Sequence, residues 1–204
     1  LSTTAEARHG GQQRFDFDRV GALNEGAKEL IARSLRVNLL ALDAMVQSKR
    51  GGSGLRGFDE VSSQMRSWSR DLHRELEELS RLSRIVVGHA SQSSKEAHLL
   101  RLLERAAASS NSPLAAHALE GRGREQLTRA LELKRSWRQV RDALGSLDLL
   151  GMMAVVLSRS AMIEASSGTA EQRAQLNDVS EQFYRNSEAV VGVLKTLLKT
   201  LDQV

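Results

Sequence analysis

Apolar residues recur at alternating spacings of three and four along most of the chain, and the points where that rhythm stops divide it into four helices. From near Phe17 or Asp18 the first stripe runs Val20, Leu23, Ala27, Leu30, Ser34, Val37, Ala41 and Ala44, a heptad seam. Beside it Ile31, Leu35, Leu42 and Met45 form a second stripe, which a two-stranded coil would leave wet and a four-helix bundle would bury. Gly51, Gly52 and Gly54 must end this helix, because glycine costs about 1 kcal/mol per residue in a helix interior. Phe58 then opens a second helix carrying Val61, Met65, Trp68, Leu72, Leu76, Leu79, Leu82 and Val86, with Gly88 and the polar stretch 91–95 as its weak point. The third has the cleanest heptads: Ala130, Leu133, Trp137, Val140, Leu144, Leu147, Gly151, Ala154, Ser158, Ala161 and Ala165. Ser166, Ser167 and Gly168 form a second turn, and Leu176, Val179, Phe183, Asn186, Val190, Val193 and Leu197 continue the rhythm in a fourth helix. Asn186 on that seam would specify register at a cost in stability.

These breaks give an organisation: residues 1–16 as a flexible lead-in, 17–107 as one helical hairpin with its tip near 50–57, 108–122 as a connection rich in Ser, Asn, Pro and Gly, and 123–204 as a second hairpin with its tip near 166–169. The second half reads as a worn copy of the first, since 148–156 can be laid on 38–46 and each is followed by a small-residue turn and another amphipathic helix. The expected fold is therefore all-α: two tandem antiparallel hairpins in one chain, side by side with both tips at one end, forming a four-helix coiled-coil bundle. A homodimer in which each hairpin pairs with its copy is the competing arrangement.

Composition supports this class. The chain is 41% hydrophobic but only 3% aromatic, with one proline, which suits long helices and not a β-sandwich or a doubly wound sheet. Cysteine is absent, which removes disulfides, thiolate metal sites and thiol nucleophiles and fits a cytoplasmic setting. No apolar run approaches the roughly 20 residues of a membrane span, and Leu1 in place of methionine suggests a fragment, so membrane attachment is expected only through parts outside the chain. The net charge of +4 is spread along the helices as a solvated surface. Its strongest basic excess, Arg122 to Arg141, comes with no nucleic-acid-binding motif, and no nucleic acid partner is expected.

Candidate chemistry is sparse. His73 lies between Asp71 and Glu75 on a helix, a setting loosely like a phosphoacceptor, although solvated or helix-pairing histidine is the plainer reading. His89 and His98 are not at the i, i+4 spacing of helical metal ligands, so no metal site and no cofactor are expected. Arg74 or Arg81 is placed to pair with the adjacent Glu77 and Glu78. The run 152–157, Met-Met-Ala-Val-Val-Leu, is apolar all round, which calls for burial on several faces or for an exposed patch that docks a partner. No catalytic constellation can be argued from spacing, and the chain is not read as an enzyme.

Within 38–58, the residues Asn38, Leu39, Leu40, Ala41, Leu42, Ala44, Arg50, Gly52, Arg56, Gly57 and Phe58 resemble the signalling tip of methyl-accepting chemotaxis receptors. The resemblance implies a cytoplasmic signalling module that relays a conformational change to a histidine kinase and coupling adaptor at the hairpin tip. It places apolar contact on Leu39, Leu42 and Val46, and polar specificity on Asp43, Gln47 and Arg50. Asp43, Gln47 and Glu60 depart from the family pattern, which points to a divergent partner. The pair Glu77 and Glu78 is similar to the family's methylated glutamates. Two other functions are consistent with the sequence: a phosphotransfer module using His73, and a structural bundle that self-associates.

Overall fold

The computed structural model describes residues 2–51, 55–110 and 113–202. They form four helices, α1 (Ser2–Gly51), α2 (Arg56–Ser110), α3 (Pro113–Ala165) and α4 (Ala170–Asp202), with no strand among the described residues, and the fold is an all-α four-helix bundle. Gly52 and Gly54 of the first tip lie outside the described residues. Contacts divide the chain into two compact units, one of Leu1–Asn24 with Arg81–Val140 and one of Glu25–Ser80 with Arg141–Val204.

Two expected boundaries move. α1 is helical from Ser2, so the stretch read as a lead-in is helix: it holds no proline, and Gly10 and Gly11 weaken a helix without forbidding it. α3 begins at Pro113 rather than near residue 123, because proline at the first helical position lacks only a donor that would have no intrahelical acceptor there, and its fixed φ suits the helix. Of the expected 108–122 connection, residues 108–110 belong to α2 and 113–122 to α3, and residues 111 and 112 lie outside the described residues.

The second unit takes a segment from each helix. The seams expected on α1 and α2 are all buried, from Leu30 through Ala44 and from Val61 through Leu79 within this unit. α1 and α3 contribute mostly small seam residues near the tips, Ala41, Ala44, Ser48, Gly151, Ala154, Ser158 and Ala161, whereas α2 and α4 bring Phe58, Met65, Trp68, Leu72, Phe183 and Leu194. Trp68 of α2 meets Phe183 of α4 edge to face at 5.4 Å, and its indole N–H donates to the Leu150 carbonyl of α3 at 2.8 Å. α1 is tied to α2 through Asn38, whose Oδ1 accepts from Arg66 and, at 3.1 Å, from Ser69. α1 approaches α4 at Gly26, where a Cβ would lie 2.6 Å from Leu197, and α3 approaches α4 at Gly151, where a Cβ would lie 2.4 Å from Val191. With α1 and α3 each touching both α2 and α4, and α2 meeting α4 across the core, α1 and α3 stand at opposite corners.

On α4 the seam slips by one residue. Ser187 and Leu194 are buried in place of Asn186 and Val193: the buried set Phe183, Ser187, Val190, Leu194, Leu197 and Leu201 keeps the three-four alternation but in its other phase. Asn186 is only half-buried, and its amide donates to the Gln182 carbonyl at 2.8 Å, so it does not set register in the core.

The first unit holds α1 to Asn24, α2 from Arg81 and α3 to Val140. Its buried Glu96 accepts from Arg122 at 3.0 Å and faces Arg129 at 3.5 Å, and His89 Nδ1 lies 3.1 Å from the Ser136 hydroxyl. Part of the basic excess read from the sequence is therefore spent on an internal ion cluster. Ala130, expected on the α3 seam, is exposed, and Trp137 is half-buried with the Arg19 guanidinium 5.0 Å above its ring.

α3 is long and apolar enough to cross a membrane by length and composition alone, although its apolar residues form no uninterrupted run of the roughly 20 residues sought in the sequence. Within His117–Ala165 an 18-residue window has a mean hydropathy of 1.5 and is 28% buried. The cause is that α3 carries apolar residues on its outward face as well as on its seam.

Candidate functional site

Both tips are built by local chemistry. At the second, the amides of Ser166, Ser167 and Gly168 donate back to Ile163, Glu164 and Ala165, tightening the last turn of α3. Thr169 then opens α4 with a capping box: its hydroxyl accepts from the Gln172 amide at 3.4 Å while the Gln172 side chain accepts from the Thr169 amide at 3.0 Å. At the first tip, Asp59 in the opening turn of α2 accepts from Ser48 Oγ at 3.1 Å and from Lys49 Nζ at 2.7 Å. This clasp joins the end of α1 to the start of α2, and both charges suit the helix ends they occupy.

The hydrogen bond from the Lys49 ammonium holds the Asp59 carboxyl below its ordinary value of 3.8, with Ser48 adding to the effect against some desolvation. A carboxylate with a depressed folded-state pKa contributes stability that is present above the unfolded value and lost as pH falls through the folded one. The stability gap between the wild type and Asp59→Asn is therefore expected to be open at about pH 6 and to close as acid titrates Asp59 below its ordinary range. Thermal melts of the two proteins across that interval check it.

Five of the six residues singled out on α1, Leu39, Leu42, Asp43, Val46 and Arg50, are exposed along one outward strip, and Gln47 is half-buried at its edge with its side-chain oxygen buried. Leu39 is 65% exposed, Val46 47% and Leu42 37%, and Leu35, 51% exposed, extends the strip away from the tip. Asp43 accepts from Gln47 at 3.1 Å, and Asp43 and Arg50 are exposed beside the apolar residues. The expectation that a four-helix bundle buries the second α1 stripe is thus wrong for Leu35 and Leu42, while Ile31 and Met45 are half-buried. Each helix of the bundle offers the core only one face, and the seam already occupies it.

α3 repeats the arrangement. Leu149, Met152 and Val156, which the internal repeat lays on Leu39, Leu42 and Val46, are exposed, as are Met153 and Ile163. Ala154 alone of the run 152–157 is in the core, so burial on several faces does not account for that run.

The remaining candidates are not brought to this strip. His73 Nε2 lies 3.5 Å from Glu77 on the exposed side of α2, and of the two arginines expected to pair with Glu77 and Glu78, Arg74 pairs instead with Asp71 at 3.0 Å. No cluster of three or more His, Cys, Asp or Glu able to hold a metal ion occurs among the described residues. Asp59 and Leu35 are the residues that sequence reasoning missed. Leu35 was legible as apolar but not as exposed, and Asp59 acts only through a pairing across the turn. A scan against protein-family models and searches of curated proteins and of solved structures find no match to this chain.

Proposed function

We propose that the chain is a chemoreceptor-like cytoplasmic signalling module whose α1 strip near the tip docks a protein partner of the histidine kinase or coupling adaptor type. The observation that carries this reading is the exposure of Leu39, Leu42 and Val46, the three residues that the receptor resemblance assigns to apolar contact, in a bundle whose core does not use them. Apolar side chains held in water on a rigid helix face favour association, and the adjacent Asp43, Gln47 and Arg50 supply the polar rim that selects a partner. Asp43, Gln47 and Glu60 differ from the receptor pattern, so the partner is a divergent one. A shift in packing between the helices, driven from an input outside the chain, would alter this surface and relay the signal.

The test is binding of the chain to a chemotaxis-type histidine kinase and its coupling adaptor. Leu39→Glu and Arg50→Glu are each expected to weaken binding at least about tenfold, or 1.4 kcal/mol, with helix content unchanged. Binding that is indifferent to both substitutions, or absent in the wild type, counts against the proposal.

A further inference from the structure

Within the second unit the two hairpin tips touch, and each receives a side chain of the other at a glycine. Gly57 lies in the first turn of α2, and a Cβ built on it would stand 1.8 Å from Glu164 Oε2 and 2.5 Å from its Cδ. The carboxylate of Glu164, one residue before the end of α3, therefore fills the space that a side chain at 57 would take. In the opposite sense, a Cβ on Gly168 in the α3–α4 turn would lie 3.2 Å from Cδ2 of Leu55, which is buried. The seat of Glu164 has an electrostatic reason: the first amides of a helix lack intrahelical acceptors, and that end of the helix favours a negative charge.

From this reciprocal seating we infer that the two tips form one interlocked cap, in which the second hairpin holds the start of α2 and, through it, the end of α1 that carries the docking strip. The relay is on hand in the same turn as Gly57. Asp59 accepts from Ser48 and Lys49, so a displacement of the start of α2 is handed across the clasp to the last turns of α1, beside Val46 and Arg50. The two halves of the interlock differ in firmness. Leu55 is a buried apolar contact, whereas the Glu164 carboxylate is the far end of a flexible side chain on a half-buried residue and can swing away without moving either helix. Glu164 is thus the releasable latch of the cap. The inference concerns the chain alone, needs no kinase or adaptor, and stands or falls apart from the signalling reading.

Hydrogen exchange of the full chain tests it, because the expected effects cross from one hairpin to the other. Glu164→Ala withdraws the carboxylate and is expected to speed exchange at least about threefold in residues 60–64 of α2 and 46–50 of α1, with the middle of every helix unchanged. Gly57→Ala expels the carboxylate and should speed exchange of the Ser166, Ser167 and Gly168 amides, which bond back to the end of α3. On the Glu164→Ala background, Gly57→Ala should add nothing there, since the group it displaces is already gone. On an Asp59→Asn background, Glu164→Ala should still speed exchange at 60–64 but no longer at 46–50. Wild-type exchange at 60–64 and 46–50 in Glu164→Ala, an effect at 46–50 that survives Asp59→Asn, or additive effects of the two tip substitutions would each overturn the inference.

Discussion

Replacing Trp68 with alanine is expected to cost the bundle about 3–5 kcal/mol, the range for deleting a large aromatic from a packed core. Three losses coincide there. The indole is 3% exposed, its edge-to-face contact with Phe183 at 5.4 Å disappears, and the Leu150 carbonyl loses its side-chain donor at 2.8 Å. Because Trp68 joins α2 to both α3 and α4, the damage reaches the pairing of the two hairpins and not one hairpin alone. Chemical denaturation measures the total. A double-mutant cycle with Phe183→Leu is expected to isolate about 1 kcal/mol of aromatic coupling. Trp68→Phe, which keeps most of the packing and gives up the hydrogen bond, should lose about 1–2 kcal/mol.

Gly151→Ala is the second large effect, and its sign runs against helix propensity. Alanine is favoured over glycine by about 1 kcal/mol in a helix interior, so on α3 alone the change would stabilise. In the bundle the new Cβ would lie 2.4 Å from Val191 Cγ2, too close for any real contact. Valine in a helix has one strongly preferred side-chain rotamer, so its methyl cannot swing aside cheaply and α3 and α4 must part. Overpacking of this kind costs about 1–3 kcal/mol, and the net expectation is a loss of about 1–2 kcal/mol. Val191→Ala in the same chain removes the obstructing methyl and should recover most of the loss. Equilibrium unfolding of the two single variants and the double variant decides it.

The core was legible where heptads of Leu, Val and Ala leave a helix only one apolar face. Every seam residue expected on α1 and α2, from Val20 to Ala44 and from Val61 to Val86, is buried. The pattern was less informative on α4, because Asn186 and Ser187 are both polar and only the packed structure shows which one faces inward. It was ambiguous for Leu35, Leu42, Met152, Met153 and Val156, since a helix apolar on two sides reads the same whether the second side is covered or wet. Pro113 was read as part of a connection when it starts a helix. The Asp59 clasp on Ser48 and Lys49 could not be read from periodicity, because it depends on how two helices meet across a turn.

The account turns on the outward orientation of the α1 and α3 strips beside a closed small-residue seam, and the absence of native cysteine makes that directly measurable. Single cysteines placed at Leu39, Val156, Ala44 and Ala154 can be labelled with a thiol reagent under native conditions, at a concentration low enough to keep the chain monomeric. The account predicts rapid labelling at 39 and 156 and labelling at 44 and 154 only through unfolding. Protection at 39 and 156 matching that at 44 and 154 would mean that the strips are covered within the chain itself, and would contradict it.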